Sequence, residues 1–344
     1  MDPRYLNEGV MMAKVTDEEI RAKLSEVSDG VDASLQKYLK DDQLQNIVNI
    51  LLYEQQTSGK RLRPALATFV AQTLGGDFDK TVDIASACEL LHSASLMLDD
   101  AIDGDESRRG NPAVHVAFGG GMAMMGTYIQ AMIGLEMGIL TDVDIGQLLI
   151  HTVRRLVVGA TDEMSWNDWD PDNYFKVIDN KTAALFEAPC LIGVITSGKK
   201  KTHYTLGKQY GNCLGILYQL CDDYVDVAKS INLSEPVGDI KVRNTTIPII
   251  HAYEHTGKAE IKMLLQLYRK KVDLPDSHLR MIINELAQCE SLEYLHGIVE
   301  QYKNKAIELA QQFPDNEHRA YLESLPEYMQ RAQFDEIDMP NFNG

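Results

Sequence analysis

Apolar positions recur with a period near 3.6 almost from end to end of the chain, and that period predicts helices. Ile20, Leu24, Val27, Val31, Leu35 and Leu39 form one such face. It is opened by Thr16-Asp17-Glu18-Glu19, a capping box in which a hydroxyl and a glutamate three residues on satisfy each other's free backbone amides. The pattern continues over 43–56. Pro64 stands at a first-turn position and begins LATFVAQTL, which stops at Gly75-Gly76. A helix over 80–103 follows; Gly110-Asn111-Pro112 and then Gly119-Gly120-Gly121 break the chain. The Met-rich segment 122–140 reads as a helix buried on most sides. Further helices are predicted over 142–159, 172–196, 203–229, 245–256, 259–271, 277–287, 291–312 and 315–334. Strand alternation is negligible. The reading is all-α: a single domain over 1–344, built as a large helical bundle with sites between facing helices, and with 1–15 as a flexible N-terminus.

Composition narrows the function. With a net charge of −18 the chain is a poor partner for nucleic acid, which is bound by neutralising phosphates with Lys and Arg. No uninterrupted apolar run approaches the ~18 residues of a bilayer span, and MDPRYLNEGVMMAK lacks the apolar stretch of a signal peptide. The five cysteines, Cys88, Cys190, Cys213, Cys221 and Cys289, show no metal-binding spacing and read as buried thiols of a cytoplasmic protein. Against so acidic a background the basic clusters stand out: Lys60-Arg61-Leu62-Arg63, Arg108-Arg109, Lys181-Thr182 and Lys241-Val242-Arg243. They are expected where an anionic substrate needs the local field reversed. Lys199-Lys200-Lys201 lies in a Gly/Thr/Ser-rich stretch and reads as surface loop. Met122, Met124, Met125, Met132 and Met137 either fill an irregular core, the commoner use of methionine, or line a flexible apolar pocket.

Two acidic runs carry the chemistry. Asp99-Asp100-Ala-Ile-Asp103 and Asp222-Asp223-Tyr-Val-Asp226 share one spacing, and each follows an apolar helical stretch. Residues i and i+4 share a helix face, so Asp99 projects with Asp103, and Asp222 with Asp226. Two such faces turned toward each other need cations, because close like charges cannot all stay ionised. Hard oxygen donors suit Mg²⁺, which takes one or two carboxylates and completes its shell with water and substrate phosphate. His92 shares the face of Asp99 and Asp103, and Arg108 and Arg109 follow one loop later. Carboxylate pairs beside guanidinium forks are what a metal-bridged diphosphate requires. Lys60 and Arg63 offer a second phosphate site without metal.

GKRLRP, ELLHSASLMLDDAIDGDESRRGNPAVHVAFG, KTAALFEA, LGILYQLCDDYVDV and GDIKVRNTTIPII occur in the order found in the trans-prenyltransferases, the polyprenyl or isoprenyl diphosphate synthases. The resemblance runs from about residue 40 to YLESLPEYMQRA near the C-terminus. It implies an isoprenoid synthase-like bundle with a central cavity, and Mg²⁺-dependent condensation of isopentenyl diphosphate with an allylic diphosphate primer into an all-trans prenyl diphosphate. Asp99, Asp100, Asp103, Asp222, Asp223 and Asp226 would hold about three Mg²⁺. Lys60, Arg63, His92 and Arg109 would bind isopentenyl diphosphate. Arg108, Lys181, Thr182 and Gln219 would contact the allylic substrate, with Asp239 ahead of the last basic segment. The resemblance also implies a homodimer.

Some positions depart from the family pattern. Asn244 stands where a lysine is usual, with Lys241 or Arg243 as candidate replacements for its charge; Thr127, Ala160 and Leu98 also differ. For product length, the family resemblance points to the residues four and five before the first aspartate, here Ser95 and Ala94, with Leu91 and Cys88 at the next turns. Small Ala94 and Ser95 argue against a fifteen-carbon stop. Leu91 would close the pocket near twenty carbons, giving geranylgeranyl diphosphate; Cys88 would allow a longer chain. Two alternatives remain beside that product: a longer-chain polyprenyl synthase, and a catalytically weak regulatory subunit of a heteromeric synthase. A terpene cyclase fits less well, because DDYVD and the GKRLRP site point to elongation.

Overall fold

The computed structural model describes residues 15–38, 47–53 with the backbone of 54–56, 59, 61–166 and 168–335. The helices in chain order are α1 (Asp17–Tyr38), α2 (Val48–Gln56), α3 (Leu62–Thr73), α4 (Phe78–Asp103), α5 (Val114–Phe118), α6 (Gly120–Thr141), α7 (Val143–Ser165) and α8 (Pro171–Ile178). A π-helical turn, Asp179–Ala183, joins α8 to α9 (Ala184–Thr196). Then come α10 (Lys200–Leu233), α11 (Gly238–Val242), α12 (Ile247–His255), α13 (Ala259–Arg269), α14 (Asp276–Gln288), α15 (Ser291–Ala310) and α16 (Arg319–Phe334). The only strands among the described residues are a two-residue pair, Ser107–Arg108 with Asn111–Pro112, which shapes the turn after α4.

The local signals act as their chemistry predicts. The Thr16 amide donates to Glu19 at 2.8 Å while the Glu19 amide donates to the Thr16 hydroxyl at 3.3 Å, and Ile20, Leu24, Val27, Val31 and Leu35 of α1 are buried. Asp77 caps α4 by accepting from the Lys80 amide at 2.8 Å, and Gly104 ends it in the left-handed region at φ 72°. Around α3, α4, α9 and α10 runs one continuous apolar core that reaches from Ile20 of α1 to Phe334 of α16. The 34-residue α10 passes through its centre. The five cysteines are free thiols; four are buried and Cys289 is half-buried.

Three expectations are corrected. The Met-rich helix α6 is not buried on most sides: Met122, Met124, Met125 and Met132 are exposed, and of the five only Met137 is buried. Its apolar composition covers all faces, so the pattern shows no exposed side even where one exists. For the same reason Gly120–Thr141 is, among the described residues, long and apolar enough to cross a membrane by length and composition, with 39% of the window buried. The 172–196 stretch is interrupted by the π-helical turn, an extra residue that hydrophobic spacing does not reveal. Finally, Lys200 and Lys201 open α10 rather than a loop, with Lys200 paired to Asp144. Leu39, the segment 43–46 and Lys60 lie outside the described residues.

Candidate active site

A cavity of about 930 Å³ opens between α4, α7, the π-helical turn, α10 and the loop after α11. From α4 it receives Asp99 and Asp103, and from α10 Asp222, Asp223 and Asp226, so the i, i+4 faces of the two acidic runs do confront each other. Asp100 is turned out of the lining. It is 3% exposed and forms an ion pair with Arg108, whose Nε donates to the same oxygen at 2.9 Å. Asp223 is also buried, held between the Tyr174 hydroxyl at 2.5 Å and the Gln219 amide at 3.0 Å. Gln219 accepts in turn from Thr182 at 2.7 Å. Asp226 accepts from the Asp239 amide at 2.9 Å. That bond needs Gly238, with φ 48°, because a Cβ there would stand 1.9 Å from the Asp226 carboxylate.

Cations stand opposite these carboxylates. Lys181 on the π-helical turn is 2.7 Å from Glu163 of α7 and 3.9 Å from Asp99. Nothing in the sequence marks Glu163, which lies 18 residues from Lys181 and belongs to no motif. The turn is pinned from both sides: a Cβ on Gly159 would lie 2.6 Å from the Lys181 backbone nitrogen, and one on Gly215 would lie 2.4 Å from the Ala183 Cα. Burial opposes the charge on Lys181, but Glu163 and Asp99 hold its pKa above the usual value. A further basic run, Arg269-Lys270-Lys271 at the end of α13, also lines the cavity and belongs to none of the motifs.

The carboxylates carry more negative charge than these groups offset. Burial, reinforced by Glu163 and Asp103, pushes Asp99 up to about 6. Burial and the neighbouring Asp226 push Asp239 up to about 6. Burial and Asp239 raise Asp223 well above the carboxylate range, and Asp103 is raised as well. Among the described residues no three acidic, histidine or cysteine side chains converge as a ready-made metal site. Hard oxygen donors in under-compensated pairs across an open space fit Mg²⁺, which needs only one or two carboxylates before phosphate oxygens and water complete its shell.

A second cavity, about 530 Å³, lies behind this one and is lined by Gly59, Arg61, Glu89, Val225 and the α16 residues Tyr328, Met329 and Gln333. Arg63, His92, Arg109, Tyr218 and Asp222 face both spaces. The Arg63 guanidinium lies 4.8 Å from the centre of the Phe186 ring, and its Nε has no partner. His92 is half-buried, and desolvation together with the charges of Arg63 and Arg109 drives its pKa well below the usual value. It is therefore neutral, with Nδ1 unpartnered. Buried polar atoms without partners are costly, and these two point to an anion as their missing partner.

Of the other predicted residues among those described, only Ser95 reaches a cavity. Lys241 is exposed and outside the lining. Arg243 turns toward Asp273, at 3.3 Å. Ser95 lines the large cavity, whereas Ala94, Leu91 and Cys88 are buried in packed structure below it. Leu98 is exposed, and the Thr127 hydroxyl donates to the carbonyl of Ala123 in its own helix.

An all-helical bundle that opposes two aspartate faces across a cation-rimmed cavity, with an arginine-lined space behind, defines a diphosphate-handling isoprenoid synthase. The chain belongs to the polyprenyl synthetase family, which residues 44–286 match, and it is a prenyltransferase that elongates prenyl diphosphates. It is 30% identical over 304 residues to the octaprenyl diphosphate synthase of Escherichia coli K12, covering 86% of this chain and 93% of that one. It is 26% identical over 319 residues to the geranylgeranyl diphosphate synthase of Saccharolobus solfataricus, covering 87% and 93%. The fold matches the polyprenyl synthase of Caulobacter crescentus, crystallised with calcium and isoprenyl diphosphate. There the TM-score is 0.83 at 23% identity, covering 92% of this chain and 98% of that one.

Proposed function

We propose that this chain is a Mg²⁺-dependent synthase that condenses isopentenyl diphosphate with an allylic diphosphate to give geranylgeranyl diphosphate. The observation that carries the reading is the shared wall: Arg63, His92, Arg109 and Tyr218 separate a carboxylate-lined cavity from an arginine-lined one. Two diphosphates held there would bring their prenyl carbons together. Bound Mg²⁺ would supply the positive charge that weakens the allylic C–O bond. Lys181, Arg108 and Thr182 orient the allylic diphosphate. Lys60, Arg63, His92 and Arg109 hold isopentenyl diphosphate, with neutral His92 able both to donate and to accept. The C–O bond breaks, a C–C bond forms to isopentenyl diphosphate, and the departing diphosphate takes the released proton, so no protein nucleophile is required. Positioning and electrostatics supply the catalysis.

The product length rests on α4. One helical turn rises ~5.4 Å, about one isoprene unit. Ala94 and Ser95 carry small side chains at the first turn, Ser95 lining the cavity and Ala94 buried beside it, and the next bulky side chain is Leu91, packed near Gly134 of α6. Incubation with Mg²⁺, isopentenyl diphosphate and each of three allylic primers, followed by chromatography, should give a twenty-carbon product. Ala94→Phe should shorten it; an unchanged length would show that the tail does not pass this turn. A product of forty carbons from the unaltered chain would favour the longer-chain reading, with Leu91 turned aside. We read the protein as a homodimer joined through α6 and α7, which expose Met125, Tyr128, Met132, Leu140, Val143 and Val157, large apolar side chains of the kind that interfaces cover.

The carboxylate shifts give a pH prediction. Asp99 and Asp239 are raised to about 6, above their unfolded values near 4. Between those values the folded chain holds protons that the unfolded chain has released, so in metal-free buffer these groups lower stability as pH rises through 6. Mg²⁺ with pyrophosphate removes that cost. The rise in Tm on adding both should therefore be larger at pH 8 than at pH 5.5, and a pH-independent rise would contradict this account of the site.

A further inference from the structure

Asn244 leaves a gap in charge where the loop after α11 borders the cavity, and the structure fills it from elsewhere. The Asn244 amide donates to Asp239 at 2.9 Å, and its oxygen accepts from the Lys271 ammonium at 3.1 Å. Lys271 lines the same cavity as Asn244 and Asp103. The two nearer candidates do not serve: Lys241 is outside the lining, and Arg243 turns to Asp273.

The backbone supplies a second, independent observation. The Lys271 amide donates to Tyr268 O at 2.9 Å and the Val272 amide to Leu267 O at 3.1 Å. This is a Schellman motif with Lys271 at the left-handed position after the helix, φ 50°, where glycine is the usual and unstrained choice. A lysine there accepts strain and places an ammonium at the mouth. Its neighbour Arg269 lies 4.8 Å and 5.0 Å from the rings of Trp166 and Trp169, with all three guanidinium nitrogens buried and unpartnered.

We propose that Lys271 is a substrate-binding residue, contributing across the fold, through its contact with Asn244, the cation that position 244 lacks, and engaging the diphosphate of the allylic substrate. This rests on the reading of the large cavity as the allylic site. A charge-assisted hydrogen bond of this kind accounts for about ten- to a hundredfold in affinity. The test is calorimetric titration of inorganic pyrophosphate in the presence of Mg²⁺, alongside KM and kcat for the allylic primer and Tm. Lys271→Gly should weaken pyrophosphate binding and raise KM by about tenfold or more, with Tm unchanged or higher because the left-handed strain is relieved. Adding Asn244→Lys to that variant should recover most of the affinity.

Unchanged pyrophosphate binding in Lys271→Gly would overturn the proposal. So would a joint loss of Tm and affinity that Asn244→Lys does not rescue, since that is the signature of a loop support. If the unaltered chain elongates primers yet binds pyrophosphate independently of position 271, the inference alone fails. If it binds no pyrophosphate at all, the reading of the cavity fails with it.

Discussion

Asp99→Asn lowers kcat/KM by about a thousandfold or more, the scale set by removing one preorganised electrostatic group from a water-poor site. Asp99 faces the cavity beside Asp103, and burial, with Glu163 and Asp103 adding to it and Lys181 opposing, pushes its pKa up to about 6. Replacing it removes an oxygen that the proposed function assigns to Mg²⁺ while relieving repulsion from Asp103 and Glu163. The variant should therefore fold at least as stably as the parent in metal-free buffer and lose the Mg²⁺-dependent rise in Tm. Steady-state kinetics and melting curves with and without Mg²⁺ check both halves. Full activity in Asp99→Asn would remove the first acidic run from the mechanism. By contrast, Asp100→Asn breaks the pair with Arg108 and should act through misplacement of that arginine, with a smaller effect on metal dependence.

The second large effect is at Lys181. Lys181→Gln should lower kcat by about a hundred- to a thousandfold, because it removes the ammonium that faces Asp99 from the π-helical turn. Glu163 and Asp99 then lose their cation. Both are about one-third exposed, Glu163 32% and Asp99 30%, so solvent screens the loss and the fold gives up only about 1 kcal/mol. Glu163→Gln, which keeps the ammonium and removes its anchor, should cost no more than about tenfold in kcat. If the two variants are equally impaired, the pair acts as a structural unit and Lys181 has no separate role toward substrate.

The acidic faces were legible in the sequence because they need only local rules: a helical period and an i, i+4 spacing place Asp99 with Asp103 and Asp222 with Asp226. The Thr16 capping box and the Asp77 and Gly104 ends of α4 obey equally local chemistry. What escaped depends on tertiary placement. Lys271 and Asn244 are brought together by the packing of α13, and nothing in their sequence neighbourhood signals it. Glu163 meets Lys181 where α7 packs on the π-helical turn, and the hydrophobic pattern registers neither that packing nor the inserted residue. The exposed methionines of α6 misled for the opposite reason: a helix apolar on every face gives no moment from which to read its outer side. Asp100 belongs to the motif by sequence but is turned to Arg108 by helix geometry, so motif membership and access to the cavity are separate properties.

The most direct test of the central claim is a crystal structure with Mn²⁺ and pyrophosphate, with anomalous scattering used to locate the metal. The account predicts Mn²⁺ peaks between the Asp99–Asp103 and Asp222–Asp226 faces, bridged by a pyrophosphate that touches Lys181 and Arg108 and lies within reach of Lys271. Metal and pyrophosphate bound elsewhere, with the two aspartate faces empty, would contradict it.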